Sequence, residues 1–230
     1  MSFPRHSAAP DHLVVAASDL ASGAAWLEDS LGVALAPGGR HVAMGTHNRL
    51  LRLGAGLYLE LIAVDPTGIA PPRPRWFGLD SDAMRDRLAA GPQLIHWVAR
   101  TDAIDALAPA VGLAAEEILP MARGDYRWRI GVPADGHLPG GGLLPTLIQW
   151  DVPCHPAERL PDSGCALMKL EAFTPHADAV RGGLAALGLE RSLDVQPAAP
   201  GEAGEFVAYL KCPRGLVELV GVLGREPEGH

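Results

Sequence analysis

The sequence predicts an α+β protein that contains three copies of a β-α-β-β-β unit. Three stretches of the 230-residue chain share one order of elements: an apolar strand, a helix, and then strands that end in an apolar run holding a polar residue. These units cover residues 11–64, 92–151 and 164–222, and tails are expected at 1–10 and 224–230. A repeat of this length indicates an architecture assembled from one supersecondary unit.

The first unit begins with "HLVVAA", which is typical of a strand buried on both faces. A helix follows, in which apolar residues recur at helical spacing, namely Leu20, Ala24, Leu27 and Leu31. Ser18 or Asp19 is expected to cap this helix, and Gly32 is expected to end it. Two strands around a glycine turn and the run "YLELIAV" complete the unit.

The second and third units repeat this pattern with departures. "QLIHWVART" predicts a strand, and "DAIDALAPAVGL" predicts a helix that Pro109 is expected to shorten. "YRWRI", "LIQW" and, in the third unit, "CALMKLEAF" and "GLVELVGV" predict further strands. The proline-rich segments between units read as linkers. Trp76 and Phe77 in the first linker are a candidate lid, with simple packing as the alternative.

Composition excludes several classes of function. The chain has 19 Lys and Arg against 27 Asp and Glu, a formal net charge of −8, which argues against a nucleic-acid partner. No apolar run approaches the roughly 20 residues that span a bilayer, and the N-terminus lacks the apolar stretch of a signal peptide. The expectation is a cytoplasmic protein without a membrane partner.

One segment carries a family signature. "GGRHVAMGTHNRLLRLGAGLYLELIAV" contains the phrase GG-x-H, GT-x-N and YLEL, at Gly38, Gly39, His41, Gly45, Thr46, Asn48, Tyr58, Leu59, Glu60 and Leu61. With the repeated unit, it resembles the glyoxalase-like subgroup of the vicinal-oxygen-chelate superfamily, which includes glyoxalase I and the extradiol dioxygenases. The resemblance implies that two modules pair, so that their sheets curve into a cup (a glyoxalase/dihydroxybiphenyl dioxygenase-like fold) holding a divalent metal.

In that superfamily the metal ligands come from the first and fourth strands of the paired modules. His12 and His96 each lie six residues before the expected start of a helix, so they fall at the same point on their first strands. On the fourth strands, Glu60 aligns with Glu218 and, more loosely, with Gln149. His12, Glu60 and His96 therefore form a candidate metal triad, with Gln149 as a weak fourth ligand. Fe, Mn, Ni and Zn all suit such donors.

Strand alternation predicts which residues face the cup. Residues two apart share a face, so Glu60 lies with Tyr58 and His12 with Val14, while the intervening residues are apolar. A buried Glu60 needs a partner, and the candidates are the metal or a salt bridge to Arg52.

Glu60 and His41 are the candidate catalytic residues, and Asn48, Arg52 and Arg100 are candidates for binding substrate. The alternative for the signature is structural. Gly38 and Gly39 would form a turn with positive φ, and Asn48 would satisfy backbone groups.

Two functions follow, with a degenerate structural module as a third possibility. The first is a metal-dependent lyase, isomerase or dioxygenase acting on a small oxygen-rich substrate. The alternative is a metal-free cup that binds a small molecule of the antibiotic type, which needs an aromatic lining that the 5% aromatic content mildly disfavours. A homodimer is expected, because two modules complete one cup and the third needs another partner.

Overall fold

The structure is a computed structural model that describes residues 6–199 and 202–223. Most of the two predicted tails, 1–10 and 224–230, lies outside the described residues. The predicted α+β fold is confirmed, with an eight-stranded sheet and a separate four-stranded sheet.

The first unit supplies half of the large sheet. Its elements are β1 (Ala9–Ala16), α1 (Leu20–Leu31), β2 (Ala36–His41), β3 (Thr46–Gly54) and β4 (Leu57–Val64). Asp19 caps α1 by accepting a hydrogen bond from the Ser22 amide at 2.8 Å, and Gly32 ends the helix with a φ of 73°. β1 pairs in parallel with β4, which gives the strand order β2-β3-β4-β1.

The second unit completes this sheet. After α2 (Asp82–Ala89), which the sequence did not predict, come β5 (Gln93–Arg100), α3 (Ile104–Leu107), β6 (Ile118–Arg123), β7 (Tyr126–Gly131) and β8 (Thr146–Trp150). α3 gives way to a 3-10 turn that contains Pro109, as expected. β1 pairs with β5 in antiparallel orientation, which joins the two units. The edge strands β2 and β6 contact each other, so the sheet curves into a nearly closed cup.

The third unit keeps the order of elements but not the order of strands. It follows α4 (Pro156–Arg159) and contains β9 (Ala166–Thr174), α5 (Ala177–Leu187), β10 (Asp194–Pro197), β11 (Glu205–Cys212) and β12 (Gly215–Val222). The strand order is β10-β9-β11-β12, so the last strand lies at an edge rather than beside the first. Glu218, which the sequence aligned with Glu60, is consequently exposed.

The two faces of the large sheet pack into two separate cores. Leu13 and Leu61 belong to the larger core, which lies between the convex face, the helices and the four-stranded sheet. Val14 and Ile62 point the opposite way into the cup, where they pack with Trp76 and other residues of the first linker. The alternation predicted from the sequence is therefore confirmed for β1 and β4. None of the helices in the described ranges has the length and apolarity needed to cross a bilayer.

Candidate functional site

The cup contains a small cavity of about 30 Å³. Polar and aromatic side chains line it together, namely His12, His41, Asn48, Tyr58, Glu60, Trp76, Phe77, Arg123, Trp128 and Trp150, with Ile130 and Ile148. The structure thus brings together His12, His41, Asn48 and Glu60 from the set expected from the sequence. A cavity of this volume holds about one water molecule, so a larger ligand requires movement of the lining.

Glu60 is the buried carboxylate of this cavity, with a relative exposure of 5%. Its Oε1 accepts a hydrogen bond from Asn48 Nδ2 at 2.6 Å, and its Oε2 lies 3.6 Å from His12 Nε2. Asn48 lies on the neighbouring strand β3, and it fills the role that the sequence interpretation gave to Arg52. The hydrogen bond fixes one oxygen of Glu60 and leaves the other facing the imidazole of His12.

A buried carboxylate fixes the orientation of His12. Asp11 Oδ1 lies 2.7 Å from His12 Nδ1, and Oδ2 accepts hydrogen bonds from Trp150 Nε1 at 2.9 Å and His155 Nε2 at 2.8 Å. Burial alone would raise the pKa of Asp11, but the hydrogen bonds and charges of His12 and His155 lower it well below 3.8. An ionised carboxylate only accepts, so His12 donates from Nδ1 and directs Nε2 towards Glu60.

His41 is a neutral acceptor beside a guanidinium of the cavity lining. Arg123 donates from Nη1 to His41 Nε2 at 3.2 Å and to Asn48 Oδ1 at 3.0 Å. Burial lowers the pKa of His41 to about 4; Glu60 opposes this shift and Arg123 reinforces it. Because a guanidinium only donates, Nε2 carries the lone pair and Nδ1 donates to Thr46 Oγ1 at 3.1 Å. This geometry makes His41 a positioning group for Arg123.

The paired glycines of the signature make room for these side chains. Neither Gly38 nor Gly39 has a positive φ, so the expected turn is replaced by a bulged stretch of β2. A Cβ at Gly38 would overlap Asn48, and a Cβ at Gly39 would lie 2.8 Å from Arg123 Cδ. The Gly39 amide also donates to Asn48 Oδ1 at 2.8 Å. Glycine is therefore required here by close approach rather than by backbone conformation.

The two histidines occupy equivalent positions in the paired modules, as the sequence predicted. In the antiparallel β1–β5 pair, His12 lies opposite Val98 and His96 lies opposite Val14. The same symmetry applies to the fourth strands, where Glu60 lies beside Val14 and Thr146 beside Val98. Thr146, and not Gln149, is therefore the counterpart of Glu60.

Both ring nitrogens of His96 are engaged in hydrogen bonds, so neither is available to bind a metal. Its Nδ1 lies 2.9 Å from the Gly142 carbonyl oxygen, and its Nε2 lies 3.0 Å from both the hydroxyl and the amide nitrogen of Thr146. Burial lowers the pKa of His96 to about 4, although the Gly142 hydrogen bond opposes this shift. Gln149 accepts hydrogen bonds from the Ile104 amide and from Arg129, outside the cavity.

Two predicted substrate-binding arginines also lie outside the cavity. Arg52 donates from Nε to the Gly54 carbonyl at 3.4 Å, and Tyr58, not Glu60, is its partner on β4. Arg100 donates to the carbonyl oxygens of Pro10 and Gly56, and so ties neighbouring strands together. Both guanidiniums satisfy backbone groups at strand ends.

The donor set does not form a three-ligand metal centre. His12 and Glu60 offer two donors, but both ring nitrogens of His96 are occupied. A permanent positive charge, Arg123, also stands next to His41 and Asn48. Among the residues that the structure describes, no group of three His, Cys, Asp or Glu side chains is placed to hold an ion.

Sequence reasoning missed several residues of the site. Asp11 directly precedes His12, so its charge was a readable signal, but His155 approaches from a linker 144 positions away. Arg123 ends a strand that the sequence reading did not assign. The low aromatic content wrongly disfavoured an aromatic lining. Tyr58, Phe77 and three of the five Trp residues all line this one cavity.

Comparison with known proteins places the chain in a family. The sequence model of the glyoxalase-like domain family matches residues 11–188, and the chain belongs to this family. The predicted vicinal-oxygen-chelate resemblance is thereby confirmed. No curated protein matches the chain.

Two solved structures illustrate the similarity. Methylmalonyl-CoA epimerase from Mycobacterium tuberculosis is 19% identical, with a TM-score of 0.39 over 65% of this chain and 91% of its own. A mutant of 4-hydroxymandelate synthase from Streptomyces coelicolor is 17% identical, with a TM-score of 0.45 over 94% of this chain and 63% of its own.

Proposed function

We propose that this protein is an enzyme that moves a proton at a carbon next to the carbonyl or carboxylate group of a small anionic substrate. The observation that carries the proposal is the buried pair of Glu60 and His12, whose facing atoms lie 3.6 Å apart. Each member is oriented by a second buried group, Asn48 for the carboxylate and Asp11 for the imidazole. Such pairs are typical of general acid–base catalysis.

Each residue has a distinct task in this reaction. Glu60 accepts the proton from the substrate carbon. His12, the other member of the pair, receives or returns a proton at its Nε2 atom. Arg123 binds the substrate carboxylate and stabilises the negative charge that develops on the adjacent oxygen. Neutral His41 orients the guanidinium through its Nε2. The aromatic side chains of the lining lower the local polarity and so strengthen these interactions.

Hydrogen–deuterium exchange tests the proposal directly. The purified protein is incubated in D₂O with lactate, pyruvate, malonate and phenylacetate, and exchange at the carbon next to the carbonyl group is followed by NMR. Glu60→Gln is expected to slow the exchange about 10²–10⁴-fold. Glu218→Gln, on exposed β12, is the matched control and should leave the rate unchanged. Folded protein that exchanges none of these compounds above the solvent rate refutes the proposal.

A metal-free binding protein is the second candidate, and the aromatic lining favours it. Five aromatic side chains surround the cavity, although the chain has only 5 Trp, 3 Tyr and 4 Phe. Such a lining captures flat molecules by stacking. Tight ligand binding without exchange for any of the four compounds would select this candidate over the enzyme.

The divalent metal and the homodimer stay predictions. The Asp11 hydrogen bond to His12 favours a metal, because metal-binding histidines usually donate their second nitrogen to such a carboxylate. Elemental analysis of the wild type and of a His12→Ala/Glu60→Ala variant tests this: one equivalent lost in the variant would establish the metal. A monomer mass in light scattering at micromolar concentration would refute the dimer.

A further inference from the structure

The cavity lining combines the Arg123 guanidinium, which donates to the neutral acceptors His41 Nε2 and Asn48 Oδ1, with the buried indole of Trp76. In the described part of the chain, no carboxylate lies within ion-pair distance of Arg123, although its guanidinium reaches the cavity. The indole Nε1 of Trp76 is buried and has no hydrogen-bond partner within residues 6–199 and 202–223. Leaving a buried donor unpaired is unfavourable. Both groups are donors, so the missing partner is an acceptor, and an anionic one.

The phenyl ring of Phe77 forms part of the cavity wall. Phe77 stacks on Trp76 with ring centroids 5.4 Å apart and planes inclined by 22°, and the centroid of the tilted His96 ring lies 5.6 Å from that of Phe77. Phe77 is thus one of the side chains that bound the cavity. A ligand ring of the same shape would make the same stacking contacts.

The backbone of Phe77 is held in a conformation that bulky residues avoid. Its φ is 59°, and it is the single residue other than glycine with a positive φ among the described residues. The neighbouring chain enforces this conformation: the Gly78 amide donates to the Gly136 carbonyl at 2.7 Å, and Arg75 pairs with Asp80 at 2.6 Å. Strain of this kind concentrates at ligand-binding segments.

We propose that the site binds an aryl-substituted carboxylate, whose ring takes the place of the Phe77 phenyl group and whose carboxylate binds Arg123 and the Trp76 indole N–H. Binding releases the strained Phe77 backbone, gives the Trp76 N–H an acceptor and places a negative charge beside Arg123. The inference rests on the proposed function only in placing the reaction in this cavity. It adds the substrate class: a carboxylate whose reacting carbon carries a flat ring.

Calorimetric titration of the full chain with phenylacetate tests the inference, with cyclohexylacetate as the non-planar control. Phenylacetate should bind about three- to tenfold more tightly, the difference that one aromatic contact contributes. Phe77→Gly, which removes the ring and tolerates the positive φ, should tighten phenylacetate binding about tenfold or more. Equal affinity for the two acids, or an unchanged affinity in this variant, overturns the inference.

Two further variants examine the donors. Arg123→Gln should weaken phenylacetate binding about ten- to hundredfold, because it removes a charge-assisted hydrogen bond. Trp76→Phe keeps an aromatic ring, although a smaller one, and removes the N–H, and it should weaken binding about fivefold. Unchanged affinity in both variants overturns the assignment of the carboxylate position.

The outcomes separate this inference from the proposed function. Phenylacetate binding as described, without deuterium exchange, would refute the enzyme and keep the ligand class. Exchange of lactate or malonate by a protein that ignores phenylacetate would keep the enzyme and refute the ligand class. Glu60→Gln should lose exchange while it still binds phenylacetate, because Glu60 contributes no contact to the ring.

Discussion

The third unit docks on the cup through a glycine that brings two backbones into close contact. Gly221 on β12 lies against the backbone of Leu94 on β5. An added Cβ would overlap the Leu94 carbonyl oxygen and lie 2.9 Å from its carbon, inside the 3.0 Å that real Cβ atoms respect. Both clashing groups belong to backbones inside sheets, so neither can rotate away. Gly221→Ala should therefore cost about 3 kcal/mol, the upper end of the usual range for overpacking.

Urea unfolding followed by circular dichroism measures this cost. A loss of about 3 kcal/mol corresponds to a melting temperature lower by roughly 6–12 °C for a chain of this size. Gly182→Ala is the matched control, because Gly182 lies exposed in α5 with no atom within 4 Å of the added methyl group. This control should gain up to about 1 kcal/mol in helix propensity. A Gly221→Ala variant within about 1 kcal/mol of the wild type would refute the tight docking.

Three further predictions concern the site and the thiols. Gly38→Ala should slow deuterium exchange at least about tenfold, because the methyl group displaces Asn48 from Glu60; an unchanged rate would contradict the role of that hydrogen bond. Asp11→Asn should lower the free energy of unfolding in urea by about 2–3 kcal/mol, because the new amide N–H would face an N–H donor of a neighbouring ring. A loss below about 1 kcal/mol would contradict the structural role of this carboxylate. Half-buried Cys154 should be alkylated by iodoacetamide at neutral pH before Cys212, because burial raises the pKa of Cys212 to about 12; intact mass with peptide mapping would reveal the opposite order.

Much of the fold followed from local patterns. The apolar run of β1 and the period of α1 predicted a buried strand followed by a helix, and the caps at Asp19 and Gly32 agree with the structure. α2 escaped prediction because half of its sequence, "DAMRDRLA", is charged and the helix buries only Met84 and Leu88. The strand order of the third unit also escaped, since the order of elements along a chain does not fix which strands pair.

Parts of the site could be predicted by aligning equivalent positions of the first two units. Counting back from the helix starts placed His12 and His96 at equivalent positions, and the β1–β5 pairing agrees. Counting failed for Gln149, because the loop before β8 shifts its register and puts Thr146 opposite Val98. A symmetric site would have a second carboxylate at the position of Thr146. Thr146 instead carries a hydroxyl, which forms a hydrogen bond with His96. That replacement separates this cup from a symmetric metal site.

The sequence by itself determined the fold class, the faces of the strands that line the cup, and the presence of His12, His41, Asn48 and Glu60 near one another. These features depend on periodicity, and periodicity is a local property of the chain. Only the tertiary structure decided that Arg123 faces Asn48 and that His155 reaches Asp11. Contacts between residues so far apart in the chain depend on how the sheet curves and where the linkers return, and no local pattern encodes either.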